Sequence, residues 1–145
     1  MKTILFNLEG AKDIGIKMEG IVDFSDWSKL NLRVAQIKEV EDIEGADKLY
    51  KLTVDVGSEI GERTVCAGLK EFYSKEDLKD KKIILFVNLA PRKMRGIESQ
   101  GMLLAATGKS TTRVYPDKSS AKISTKGKVI LICPEKDIEV GARVR

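Results

Sequence analysis

The sequence predicts an all-β fold: a small five-stranded barrel with one short helix between its third and fourth strands, extended briefly at both ends. Three observations predict it. Apolar and polar residues alternate over 49–56, where Tyr50, Leu52, Val54 and Val56 fall on one face and Lys51, Thr53 and Asp55 on the other. Short continuous apolar runs at 83–87, 102–106 and 129–133 have strand length and are separated by turn-forming residues. A helix start occurs in that stretch once, where Ser74 is followed three residues on by Asp77.

Taken in order, residues 1–22 hold two apolar patches, 3–8 and 14–21, around the turn-prone Glu9-Gly10, and form an extension of unassigned structure. The domain proper is expected over 23–145. Its first strand begins at Leu30, with Leu32 and Val34 on the same face, and slips at Ala35 before Ile37 and Val40. A slip of this kind predicts a bulge in a strand that curves. The turn EDIEGADK leads into the second strand, and Gly57 to Gly61 turn the chain into a third at 63–67. Ser74 then caps the helix, and 83–87 reads as a fourth, buried strand. Segment 107–128 is rich in Ser, Thr, Gly and Lys and is expected to be a long exposed basic loop or hairpin. The order of strands and helix is that of an OB-type barrel, with a β-sandwich as the alternative.

Composition narrows the function. Histidine is absent from the 145 residues, which removes the usual general base, the His-activated nucleophiles and the commonest metal ligand. Two isolated cysteines, Cys66 and Cys133, do not make a zinc site, and their apolar surroundings predict buried thiols rather than a disulfide. Neither catalysis nor a cofactor is expected. No apolar run reaches the ~18 residues of a membrane span, so the expected setting is cytoplasmic. Charge is divided unevenly: residues 1–80 carry 12 basic and 17 acidic side chains, residues 81–145 carry 14 and 5. A basic half of this kind suits a polyanionic partner, or a solvated surface.

Two motifs are decoys. Gly108-Lys109-Ser110 ends like a phosphate-binding loop, but Leu103 stands where that motif needs glycine, and 111–120 does not continue as a helix. The acidic run Glu39, Glu41, Asp42, Glu44 and Asp47 lacks the spacing of a calcium loop. The segment NLAPRKMRGIESQGM at 88–102 differs from both, because Asn88, Arg92, Lys93, Arg95, Ser99 and Gln100 gather three cations and three hydrogen-bonding side chains in 13 residues. At a barrel rim such a loop offers cations to phosphates and amide or hydroxyl groups to ribose and base edges. Composition alone reads it equally well as solvated surface.

Three blocks, DFSDWSKLNLRVAQI, ADKLYKLTVDVG and NLAPRKMRGIESQGMLLAA, with the lesser RTVCAGLKEFYS, resemble the tRNA-binding domain that occurs alone, at the C-terminus of methionyl-tRNA synthetases and in synthetase cofactors. The resemblance implies an OB-fold that binds tRNA by its shape, without catalysis, and works as a homodimer. It implies RNA contacts at Asn88, Arg92, Lys93, Arg95, Ser99, Gln100 and Met102, with Arg33 and Lys48 from the earlier blocks. Arg63, at a strand start, is added as a phosphate contact. The implied role is that of an accessory factor or subunit for an aminoacyl-tRNA synthetase, methionyl first, with tRNA and the synthetase as partners. The alternative is an export-related, protein-binding chaperone on the same barrel. The sequence departs from the family at Ala35, where glycine is usual, at Ile43-Glu44-Gly45, where His-Pro-Asn is typical, and in the length of 107–128.

Overall fold

A computed structural model describes residues 20–117 and 120–145, with the backbone alone over 110–126. The extension at 1–19, and the side chains of Arg113, Lys118, Lys122 and Lys126 in the basic segment, lie outside the described residues. The elements are helix α1 (Phe24–Trp27), strands β1 (Leu32–Asp42), β2 (Tyr50–Asp55) and β3 (Glu62–Ala67), helix α2 (Lys75–Leu78), then β4 (Lys82–Phe86), β5 (Arg92–Met94), β6 (Ile97–Ser99), β7 (Met102–Leu103), β8 (Ala105–Asp117), β9 (Ser120–Leu131) and β10 (Arg143–Val144).

The main sheet is antiparallel in the order β3-β2-β1-β4-β7, with β10 also paired to β1. It curls until its edges approach, and the N–H of Gln100 donates to the Thr64 carbonyl at 2.8 Å to bring the β6–β7 connection onto β3. The result is the expected all-β, OB-like fold, with the short helix between β3 and β4. Two hairpins leave the sheet: β5–β6 and the long β8–β9, which pairs from Ala105↔Leu131 outward.

The curl explains the slip seen in the first strand. Leu32 and Val34 pack with Ile84 on the outer face, while Ala35 and Ile37 face the barrel core with Leu52, Val54 and Leu85. Both faces of β1 are covered, so two-residue alternation breaks between Val34 and Ala35 without any irregularity in the pairing. The bulge lies further on: Ile37 pairs with Val54 and Val40 with Leu52, leaving one extra residue on β1. Helix α2 starts as the sequence predicts. The Ser74 hydroxyl accepts from the Asp77 N–H at 3.2 Å, the Asp77 carboxylate accepts from the Ser74 N–H, and Leu78 is fully buried. Burying a leucine of this kind contributes roughly 1.5–3 kcal/mol.

Phe24 and Phe72 are exposed, whereas Tyr50 is buried and donates its hydroxyl to the Tyr73 carbonyl at 2.9 Å. The expectation of two buried thiols is corrected. Cys133 is exposed because β9 ends at Leu131, before the apolar run does. Cys66 is half-buried and unpaired, and burial pushes its thiol up from the ordinary range.

Candidate nucleic-acid interface

The β5–β6 hairpin occupies the connection between the fourth and fifth strands of the barrel, one of the loops by which OB-folds hold oligonucleotides. Its register is Arg92↔Ser99, Lys93↔Glu98 and Met94↔Ile97. The two-residue turn has both central residues at positive φ, Arg95 at 54° and Gly96 at 80°, as a primed hairpin turn requires. Alternation then sorts the side chains. Arg92, Met94, Ile97 and Ser99 face the barrel, and Lys93 with Glu98 faces outward.

Two side chains anchor the hairpin. The Ser99 hydroxyl, 6% exposed, accepts from the Cys66 N–H at 3.0 Å and donates to the Gly101 carbonyl at 3.4 Å. The Gln100 side-chain carbonyl accepts from the Thr64 N–H at 3.1 Å. Both occupy hydrogen-bonding positions on the edge of β3 that another strand would otherwise use. Gly101 follows at φ 144°, where an added Cβ would lie 2.8 Å from the Phe86 carbonyl oxygen, so only glycine fits.

Three more of the sequence-derived residues are engaged inside the protein. Arg33 is a barrel-facing residue at the end of β1; its Nε donates to Asn31 at 2.8 Å and its Nη1 to the Gly141 carbonyl at 3.1 Å. Arg63 lies opposite Val54 on the same inner face and donates to the carbonyls of Val87 and Gln100 at 3.3 and 3.4 Å. The Asn88 amide accepts from the Asn31 N–H and donates to the Lys29 carbonyl, both at 2.7 Å, tying the end of β4 to the start of β1.

The remaining five, Lys48, Arg92, Lys93, Arg95 and Met102, are exposed. None of the four cations among them forms an ion pair with another described residue. They are not equivalent. Arg95 leans on the acidic turn that includes Glu41, Asp42 and Glu44, with Nη1 3.9 Å from the place of a Cβ on Gly45, so its field is partly offset. Lys93 stands opposite Glu98. Arg92 has no acidic neighbour in the wall it shares.

That wall belongs to a cleft of about 360 Å³ between the hairpin, the end of β3 and the base of β8–β9. Arg92, Ser99 and Met102 come together there, joined by Leu89 and Met94, which the sequence reading did not single out. The signal for Met94 was its two-residue spacing from Arg92 on a strand, which puts both on one face. Among the described residues no helix is long and apolar enough to cross a membrane, and no acidic, cysteine or histidine cluster is placed to hold a metal.

An OB-like barrel with a basic hairpin over its open seam defines a class of oligonucleotide-binding domain. The sequence profile of the tRNA binding domain matches residues 32–143, and the chain belongs to that family, whose domain is a non-catalytic RNA-binding module. It is 43% identical over 134 residues to a methionine–tRNA ligase of Thermococcus onnurineus, covering 92% of the chain and 16% of the ligase. The chain thus spans about one sixth of the length of that relative. Among solved structures it is similar to a MetRS-related protein from Pyrococcus horikoshii, at 35% identity and a TM-score of 0.69, covering 88% of this chain and all of that one. It is also similar to the CsaA chaperone protein from Picrophilus torridus, at 29% identity and a TM-score of 0.65, over 86% of this chain and all of that one.

Proposed function

We propose that the chain binds folded tRNA by shape and charge, and that it acts in trans as an accessory factor or subunit of an aminoacyl-tRNA synthetase, methionyl first. The observation that carries this reading is the pairing of a family match with a tethered hairpin whose Arg92 and Lys93 make no ion pair with a described residue. In this reading Arg92, Lys93, Arg95 and Lys48 meet phosphates, and Met102 lies against the RNA at the cleft. Arg33, Arg63, Asn88, Ser99 and Gln100 hold that surface in place. The chain supplies no catalytic step and no cofactor, and its setting is the cytoplasm. Holding tRNA and synthetase together raises the effective concentration of one for the other.

The working unit in this reading is a homodimer. Its support is apolar surface between α1 and β10: Phe24 at 78% and Trp27 at 40% exposure stand with Leu30 and Val144 around a cleft of about 210 Å³. An exposed aromatic patch of this kind is typical of association surfaces. A second reading, a protein-binding chaperone, draws support from the apolar lining of the hairpin cleft.

The deciding experiment compares affinity for folded tRNA with that for single-stranded DNA of equal length at one salt concentration, and adds an unfolded polypeptide. Tighter binding of tRNA is expected. Equal affinity for the two nucleic acids would mean a generic single-strand binder, and binding of the polypeptide alone would mean the chaperone.

A further inference from the structure

The cleft beneath Arg92 has no place in recognition of a helix by shape, because a rigid duplex presents phosphates and grooves, not a part that enters a pit. We propose that it receives one unpaired nucleotide of the bound RNA, with the base inserted among Leu89, Met94, Met102 and Leu103 and the phosphate held at the mouth by Arg92. The proposal rests on the tRNA-binding reading and adds to it the kind of nucleotide that is bound and the place that binds it.

Size, chemistry and charge agree. A volume of about 360 Å³ is at the small end of the range in which pockets hold a single small organic molecule, roughly 300–1,000 Å³. It suits one base, not a run of stacked ones. The two thioethers are soft and adaptable, and sulfur makes favourable contacts with aromatic rings whatever their substitution. The Ser99 hydroxyl has its one proton committed to the Gly101 carbonyl, accepts from the Cys66 N–H and is 6% exposed, so it does not donate to an inserted base. Insertion is therefore tolerant of base identity. Among the residues of the wall there is a cation and no carboxylate, which favours an occupant that carries a phosphate.

The neighbouring strand edge argues against an extended peptide. Peptides that add to a barrel do so by main-chain bonds to a free edge. On β3 beside the cleft three of those groups are already engaged: the Cys66 N–H is bonded to Ser99, the Thr64 N–H to the Gln100 side chain and the Thr64 carbonyl to the Gln100 N–H. What is left open is a pit with a basic mouth.

The test uses the full chain and two RNAs, a perfectly paired hairpin and the same hairpin with one bulged 2-aminopurine. The wild type is expected to bind the bulged RNA about tenfold more tightly, the scale set by one buried or stacked base, and to change the emission of the bulged base. Met94→Ala with Met102→Ala is expected to bring the ratio to about one, with the salt slope for the paired RNA unchanged because neither thioether carries charge. Met102→Leu, which keeps the apolar wall, should retain most of the preference. Should the double variant fail to melt cooperatively, Met102→Ala alone, at a half-exposed position, carries the test. Equal binding of both RNAs with unchanged emission overturns the inserted base and leaves tRNA binding standing. A preference that survives loss of both thioethers puts the base elsewhere and also overturns it. Binding of neither hairpin while folded tRNA is still bound overturns the inserted base, and loss of tRNA binding as well removes the parent reading.

Discussion

Arg33 and Arg92 are both cations on strands, each with an apolar residue two positions on, Ala35 and Met94, and the fold treats them oppositely. Arg33 points into the end of the barrel, where its side chain is 13% exposed and bonded to Asn31 and the Gly141 carbonyl. Arg92 stands on a hairpin that leaves the sheet, exposed and beside no acid in its wall. The difference teaches that a basic residue in a nucleic-acid-binding domain acts at one of two levels. It either holds the surface or is the surface, and stability and salt dependence separate the two.

The sharpest way to break this comparison is to truncate the buried member. Arg33→Ala leaves the Gly141 carbonyl without its donor and removes the bond to Asn31. Hydrogen bonds from a charged group each contribute roughly 1.5–3 kcal/mol. The Arg33–Glu59 contact at 3.4 Å adds little, because Glu59 is 76% exposed. A loss of about 2–3 kcal/mol in thermal or denaturant unfolding is expected, with no change in the salt slope of tRNA binding. A slope that falls by about one while the melt holds would make Arg33 a phosphate contact after all.

The exposed members should behave in reverse. Arg92→Ala and Lys93→Ala are expected to leave unfolding within about 0.5 kcal/mol of the wild type. Each should reduce the log–log salt slope of tRNA binding by about 0.7–0.9. Arg95→Ala should reduce it less, since the turn at 43–45 already offsets that charge. Equal slopes for all three variants would show that the acidic turn swings away in the complex.

How much of this could be read in the sequence follows the range of the interaction concerned. Local patterns were legible: the alternation in β2, the capping box at Ser74 and Asp77, and the basic character of 88–102, read as a loop, all depend on residues within a few positions of one another. The opposite surroundings of Arg33 and Arg92 were not, because the Gly141 carbonyl that engages Arg33 is 108 residues away. No spacing rule reaches that far. The same holds for Ser99 and Gln100, whose polarity suggested RNA and whose partners lie on β3, 33 and 36 residues earlier. The position of the bulge in β1 and the exposure of Phe24 and Cys133 depend on where the sheet curls and ends, which apolar runs do not mark.

A last and smaller effect tests whether the ion pairs of the acidic turn beside the hairpin matter to stability. The Asp42 carboxyl is held below its ordinary range by hydrogen bonds from Lys75 and Lys70, and the Lys75 ammonium is held above its own by the bond to Asp42. A lowered carboxyl stabilises the fold above its unfolded pKa and loses that contribution as pH falls through the folded value. A raised ammonium stabilises below its unfolded pKa and loses it as pH rises through the folded one. The cluster therefore contributes across neutral pH and fades at both extremes. Asp42→Asn should lower the melting temperature slightly near pH 7, less at high salt, and not at all once the wild-type carboxyl is protonated. Because all three side chains are partly or largely exposed, the shift should be smaller than for Arg33→Ala. Melting differences that persist undiminished in strong acid would mean that Asp42 stabilises the turn by packing and not by charge.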